Sequence, residues 1–141
     1  MQATTNAGLA TARAVRAVEP PAPDSDFEMA RGTEAVLELL AGKWSVGVLY
    51  LLASGTRRYS EVFYEVGEVS KKALTQTLRT LERNGLITRR AYAEMPMRVE
   101  YSLTQLGWNL TGLLMTMYEW ATEHKQQLRG EAPGPALRRV A

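Results

Sequence analysis

Residues 69–85 read Val-Ser-Lys-Lys-Ala-Leu-Thr-Gln-Thr-Leu-Arg-Thr-Leu-Glu-Arg-Asn-Gly. Ser70 is of a type that caps helix starts and Gly85 of the type that stops them, so a helix is expected over Lys71 to Asn84. Leu74, Leu78 and Leu81 recur at i, i+4 and i+7 and define one buried stripe. At 100° per residue, Lys72, Gln76, Arg79 and Arg83 fall within about 40° of the opposite pole. The outer face is therefore long, polar and cationic. Its first turn breaks a local rule, because helix N-termini favour anions and Lys71 and Lys72 stand there. Their repulsion turns to advantage once a phosphate rests against that end.

Upstream, Gly67-Glu68-Val69 makes a tight turn. Ser60 offers the cap of a short helix ending near Gly67, with Tyr59 placed to staple onto Tyr64. Trp44 to Ala53 is apolar almost all round, as suits a helix surrounded by others. Thr33 is expected to cap a first helix through Leu40, with Val36, Leu37, Leu39 and Leu40 on its apolar side and Gly42 beyond its end. Downstream, Leu86 to Tyr92 and Arg98 to Leu103 read as two strands. The second turns Val99, Tyr101 and Leu103 inward and Arg98, Glu100 and Ser102 outward, and Ala93-Glu94-Met95-Pro96-Met97 forms the hairpin tip. A last helix opens at Thr104 and runs toward Leu128. Leu106, Leu110, Leu113, Met117 and Trp120 form its main stripe, continued by His124, while Trp108, Met115 and Tyr118 lie on another side. Two apolar faces exceed what one subunit buries and point to a partner.

Three helices, a fourth that leads into a hairpin, and a closing helix give a mainly α fold with a small β-hairpin (α+β). This is the order of a winged helix-turn-helix, in which the helix after the tight turn enters a DNA major groove. Charge agrees with that order. Lys71, Lys72, Arg79, Arg83, Arg89 and Arg90 face only Glu82, six against one, a local charge of +5 where the whole chain carries +2. Such concentration is what phosphate neutralisation requires. Gln76 can pair with adenine, Arg79 with guanine, and the Thr75 methyl can touch a thymine methyl. Arg83 suits a phosphate, as do Lys71, Lys72 and the cap Ser70 at the other end. Arg89, Arg90 and Arg98 flank the hairpin tip, within reach of the backbone or an adjacent minor groove, with Pro96 stiffening the loop.

Composition narrows the alternatives. The chain has 141 residues, 45% of them hydrophobic and 23% charged, which suits one folded domain. Met1 to Asp26, rich in Ala, Thr and Pro, is expected to be a disordered tail, with a short helix around Ala10 to Val18 at most. The folded domain is expected over 27–129 and a flexible tail over 130–141. Cysteine is absent and histidine occurs once, at His124. Asp24 and Asp26 lie in the Pro-rich stretch, and Glu34/Glu38, Glu61/Glu65 and Glu119/Glu123 are spaced as solvated helix faces. A catalytic triad or a metal cage would lack parts, so no enzyme, cofactor or metal is expected. The longest apolar stretch, Val46 to Ala53, is far short of the roughly 18 residues that span a bilayer, and the N-terminus lacks a signal-type segment. A cytoplasmic protein with no membrane partner is expected.

Several motifs in order resemble the HxlR family of bacterial transcriptional regulators. They are Gly42-Lys43-Trp44, Arg58-Tyr59-Ser60-Glu61-Val62, Val69 to Gln76, Leu81 to Ile87, Pro96 to Thr104 and Leu106-Gly107, and together they span Thr33 to Leu128. The resemblance implies a homodimeric winged-helix repressor or activator, joined through its first and last helices, on a two-fold related operator in double-stranded DNA. It places Lys71, Lys72, Thr75, Gln76 and Arg79 on the recognition helix and Arg90 to Arg98 on the wing. Many relatives carry a redox-sensing cysteine just before the first helix, where this chain has Arg31, so thiol sensing is chemically closed to it. Trp44, Tyr50, Met115, Met117, Tyr118 and Trp120 admit a small apolar effector at the dimer seam, although core and interface packing explains the same residues. The alternative function is a winged-helix module for protein interaction without sequence-specific DNA binding.

Overall fold

The computed structural model describes residues 26–128. The tails expected over 1–26 and 130–141, and the short helix around Ala10 to Val18, lie outside the described residues, Asp26 excepted. Among the described residues the elements run α1 (Asp26–Leu40), α2 (Ser45–Ala53), β1 (Arg57–Arg58), α3 (Tyr59–Val66), α4 (Lys71–Arg83), β2 (Ile87–Tyr92), β3 (Arg98–Leu103) and α5 (Gln105–Glu123). This is the α+β winged-helix order, with one strand more than the sequence suggests. No single helix among these residues is long and apolar enough to cross a membrane.

The core is built under α4. Leu74, Leu78 and Leu81 are fully buried with Val48, Leu49, Leu52 and Val62. Burying each leucine stabilises the fold by about 1.5 to 3 kcal/mol, which a helix of this length needs because isolated short helices are marginal. Both ends of α4 are closed by local chemistry. Ser70 Oγ accepts the Ala73 N–H at 3.0 Å. At the other end Gly85 takes φ 73°, open to glycine without strain. Its N–H donates to the Glu82 carbonyl at 2.9 Å and the Leu86 N–H to the Leu81 carbonyl at 3.0 Å. That pair of bonds is a Schellman stop, and Leu81 and Leu86, both buried, supply its apolar contact.

The sheet is antiparallel with strand order β1-β3-β2. Arg57 pairs with Tyr101 and Arg58 with Glu100, so the central strand is β3. A two-residue strand has no periodicity of its own, and only its pairing defines it. The start of α3 also differs from the sequence-based expectation. Glu61 accepts the Arg58 N–H at 2.9 Å and fixes the helix start at Tyr59, so Ser60 lies in the first turn rather than at the cap. Tyr64 is exposed and the expected staple is absent; the Tyr59 ring instead lies parallel to Phe63 at 6.5 Å.

The outer helices bring two further corrections. Thr33 is internal to α1, which starts at Asp26, and its hydroxyl donates to the Met29 carbonyl at 2.9 Å instead of capping. Arg31 consequently sits within α1 and not before it. The helix lies at 80° to α2, and Glu28 through Glu38 are exposed. In α5, the side that meets the domain is Gly107, Thr111 and Leu114, whereas Leu106, Leu113, Met117 and Trp120 of the expected stripe are exposed. Leu110 of the expected stripe does pack against the core, and the exposed members flank that side. Small residues are needed there because a Cβ at Gly107 would collide with the Leu86 carbonyl oxygen.

Candidate nucleic-acid interface

With its leucines fixed below, α4 holds Lys71, Lys72, Gln76, Arg79 and Arg83 exposed on its outer side. Thirteen residues at 1.5 Å each make a rod of roughly 20 Å, of a width the major groove admits. Ser70 is exposed at the cap. Thr75 differs from its neighbours: it is half-buried at the seam with α3, where its Oγ1 lies 3.2 Å from the Tyr59 hydroxyl. The same hydroxyl reaches the Lys71 carbonyl at 3.4 Å. Tyr59 thus ties α3 to the outer face of α4 near its start.

Consecutive strand residues point to opposite faces of a sheet, which separates Arg89 from Arg90. Arg89 stands opposite Tyr101 and therefore on the face turned toward α4. Burial pushes the Tyr101 phenol above its ordinary pKa, while the hydrogen bond and charge of Arg89 pull it back and Glu82 adds a smaller upward push. Arg90 stands opposite Glu100 on the other face, with its guanidinium 5.4 Å from the Tyr92 ring centre. Arg98 shares that outer face but is occupied. Its guanidinium packs 4.1 Å from Tyr92 and pairs with Glu94 at 3.2 Å and Glu100 at 3.5 Å. It braces the base of the hairpin tip. Among the described residues no carboxylate pairs with Lys71, Lys72, Arg79, Arg83, Arg89 or Arg90.

A groove of about 800 Å³ separates α4 from the wing, with Arg79 on one wall, Arg89 and Tyr101 on the other and Met95 to Met97 of the hairpin tip also lining it. Of the residues picked out from sequence, Thr75, Arg79, Arg89 and Arg98 line it. Ser70, Lys71 and Lys72 stand at the N-terminal end of α4, Arg83 at the far end, and Arg90 on the outer wing face. Sequence reasoning missed Arg58 as a candidate contact. It is exposed and lines the same groove, whereas its neighbour Arg57 is paired with Glu65 at 3.6 Å. The only signal was the adjacent pair of arginines before Tyr59.

The other candidates are placed away from this groove. Met115, Met117, Tyr118 and Trp120 lie exposed along α5, and Trp44 and Tyr50 are half-buried. His124 stacks on Trp120 at 4.7 Å and its Nδ1 lies 2.8 Å from the Trp120 carbonyl. Among the described residues no three His, Asp or Glu side chains converge to hold a metal ion.

Comparison with known proteins adds an independent line. Residues 39–129 match the HxlR-like helix-turn-helix family. The HTH-type transcriptional regulator YkvN of Bacillus subtilis is 40% identical over 96 residues, 68% of this chain and 81% of that protein. An HTH-type transcriptional regulator of the archaeon Methanothermobacter thermautotrophicus is 36% identical over 111 residues, 77% of this chain and 85% of its own. Among solved structures, the redox regulator HypR in its reduced form superposes with a TM-score of 0.63 at 32% identity, covering 69% of this chain and 96% of that one.

Proposed function

The chain belongs to the HxlR-like helix-turn-helix family and is a DNA-binding transcriptional regulator; from that premise we propose how it reads its target. Helix α4 lies in the major groove of a two-fold related operator. Gln76 and Arg79 read base edges, and Thr75 is limited to a methyl contact because its hydroxyl is engaged by Tyr59. Ser70, Lys71, Lys72 and Arg83 hold phosphates at the two ends of the helix. The groove between α4 and the wing straddles one sugar-phosphate strand, gripped by Arg89 and Arg58, while Arg90 serves the outer wing face. Arg98 acts mainly by stiffening residues 92–98.

A single observation carries this assignment: a cationic outer face on α4 stands with no carboxylate partner among the described residues, directly over a fully buried leucine stripe. Two copies joined through α1 and α5 would set two such faces side by side, which is why the operator is expected to be symmetric. Thiol chemistry plays no part in its control, because the chain holds no cysteine.

The test is a fluorescence anisotropy titration against DNA upstream of its own gene and of the neighbouring genes, repeated across salt concentrations. Preference for one fragment over scrambled DNA, with affinity falling steeply as salt rises, is the expected result. Equal, salt-insensitive binding to every fragment would leave a protein-interaction module as the better account.

A further inference from the structure

We propose that the wing tip is an apolar wedge, in which Met95, backed by Pro96 and Met97, enters the minor groove beside the α4 site and parts one base step. The proposal rests on the reading of α4 as the major-groove helix. It starts from an anomaly in the hairpin. Met95 is 99% exposed and Met97 68%, on either side of a proline, at a tip where turn chemistry normally places polar residues. One exposed apolar residue is ordinary, but two flanking a proline at the far end of a hairpin are left largely uncovered by the described residues.

Their position supplies the occupant. Met95, Pro96 and Met97 line the same groove as Arg58 and Arg89, so the sugar-phosphate strand those two arginines grip passes against the methionines. An apolar tip framed by cations suits the floor of a minor groove better than open solvent. Met and Pro are among the side chains that slip between base steps, unstack them and bend the duplex toward the major groove.

A wedge must also be stiff, and this one is backed. Directly behind it Arg98 pairs with Glu94 and packs on the Tyr92 ring, with the Glu100 carboxylate 3.5 Å from its buried Nε, which makes no hydrogen bond. The Glu94 N–H closes the start of the tip onto the Tyr92 carbonyl at 2.9 Å, and the ring of Pro96 fixes its own φ. The backing therefore does not have to be ordered when DNA binds. The step beneath the tip should be a pyrimidine–purine step, TA or CA/TG, because these unstack at the least cost.

The probe is the duplex that the wild-type protein enriches from a random-sequence pool, labelled at its ends for energy transfer and carrying TA at the step under the tip. Wild-type protein should bend it by roughly 20 to 90° and make the thymine of that step reactive to permanganate. The M95A/M97A double variant should keep the wild-type melting curve and the wild-type salt slope, since no phosphate contact is removed. It should lose the bend and the reactivity and bind about tenfold more weakly. M95L/M97A should restore all three. A double variant that bends and exposes the thymine as wild type does would overturn the wedge while leaving α4 as the reader. A double variant whose sedimentation coefficient changes while its DNA bend does not would assign the methionines to a protein contact instead. Failure of the wild-type protein to enrich any sequence would remove the α4 assignment and the wedge with it, before any variant is made.

Discussion

Gly107 and Thr111 show how a residue with little side chain can decide where a helix goes. Large apolar residues suggest that α5 packs by Leu106, Leu110, Leu113, Met117 and Trp120, but of these only Leu110 packs against the core, and at Gly107 the approach to Leu86 leaves no room even for a Cβ. Gly107→Ala should therefore destabilise the domain by about 2 kcal/mol net, the overpacking penalty outweighing the roughly 1 kcal/mol that alanine gains in a helix. Gly112 on the same helix meets nothing within 4 Å of an added Cβ, so Gly112→Ala should be neutral or stabilising by up to about 1 kcal/mol. Chemical denaturation of the pair checks both signs in one experiment, and equal losses would refute the close-approach account. The same scale explains Arg98. In sequence it is one more arginine beside a hairpin, and only its distances to Glu94, Glu100 and Tyr92 reveal a brace.

Helix α4 has a reading side that can be tested against the wing. Arg79→Ala and Gln76→Ala should each weaken operator binding by roughly 1 to 3 kcal/mol and relax base preference, whereas Arg90→Ala should weaken operator and random DNA alike. Titrations on both DNAs separate the classes; identical losses for all three variants would refute the division. This element and the two longer strands were legible in the sequence because their signals are local: a cap, a leucine period, a glycine stop, an alternation. What escaped was set elsewhere in the chain. β1 exists through pairing with β3, α3 starts where Glu61 closes on the Arg58 N–H, and Thr33 bonds back along α1 although its type suits a cap. The candidate contacts followed the same division. The outer face of α4 could be drawn from periodicity, while the separation of Arg89 from Arg90 and the inclusion of Arg58 required the sheet register and the groove.

Among the described residues, large apolar side chains stand exposed along α1 and α5. Leu37 is 51% exposed and Trp120 50%, and Met29, Val36, Leu113 and Met117 are exposed with them along α1 and α5. A helix as bare as α1 gains little by folding alone, so a second copy is the expected cover. Leu37→Asp combined with Trp120→Asp should convert a dimer to a monomer in sedimentation velocity, and operator affinity should fall while a half-site is still bound weakly. In the dimer the two α4 helices should lie about 34 to 36 Å apart, so footprinting should protect two half-sites one turn apart or a multiple of it. Protection of one short site by a monomer would contradict this. The start of α5 gives that spacing a mechanical meaning. The Thr104 N–H donates to the Leu86 carbonyl at 3.0 Å, the Thr104 hydroxyl donates to the Gly85 carbonyl, and Gly107 rests against Leu86. Those two residues are the knuckle between α4 and the wing. Tied there by two hydrogen bonds, α5 is expected to carry both DNA-facing parts with it when it tilts, and in a dimer anything that pried the two copies of α5 apart at their far ends should pull the two heads out of step with the helical repeat.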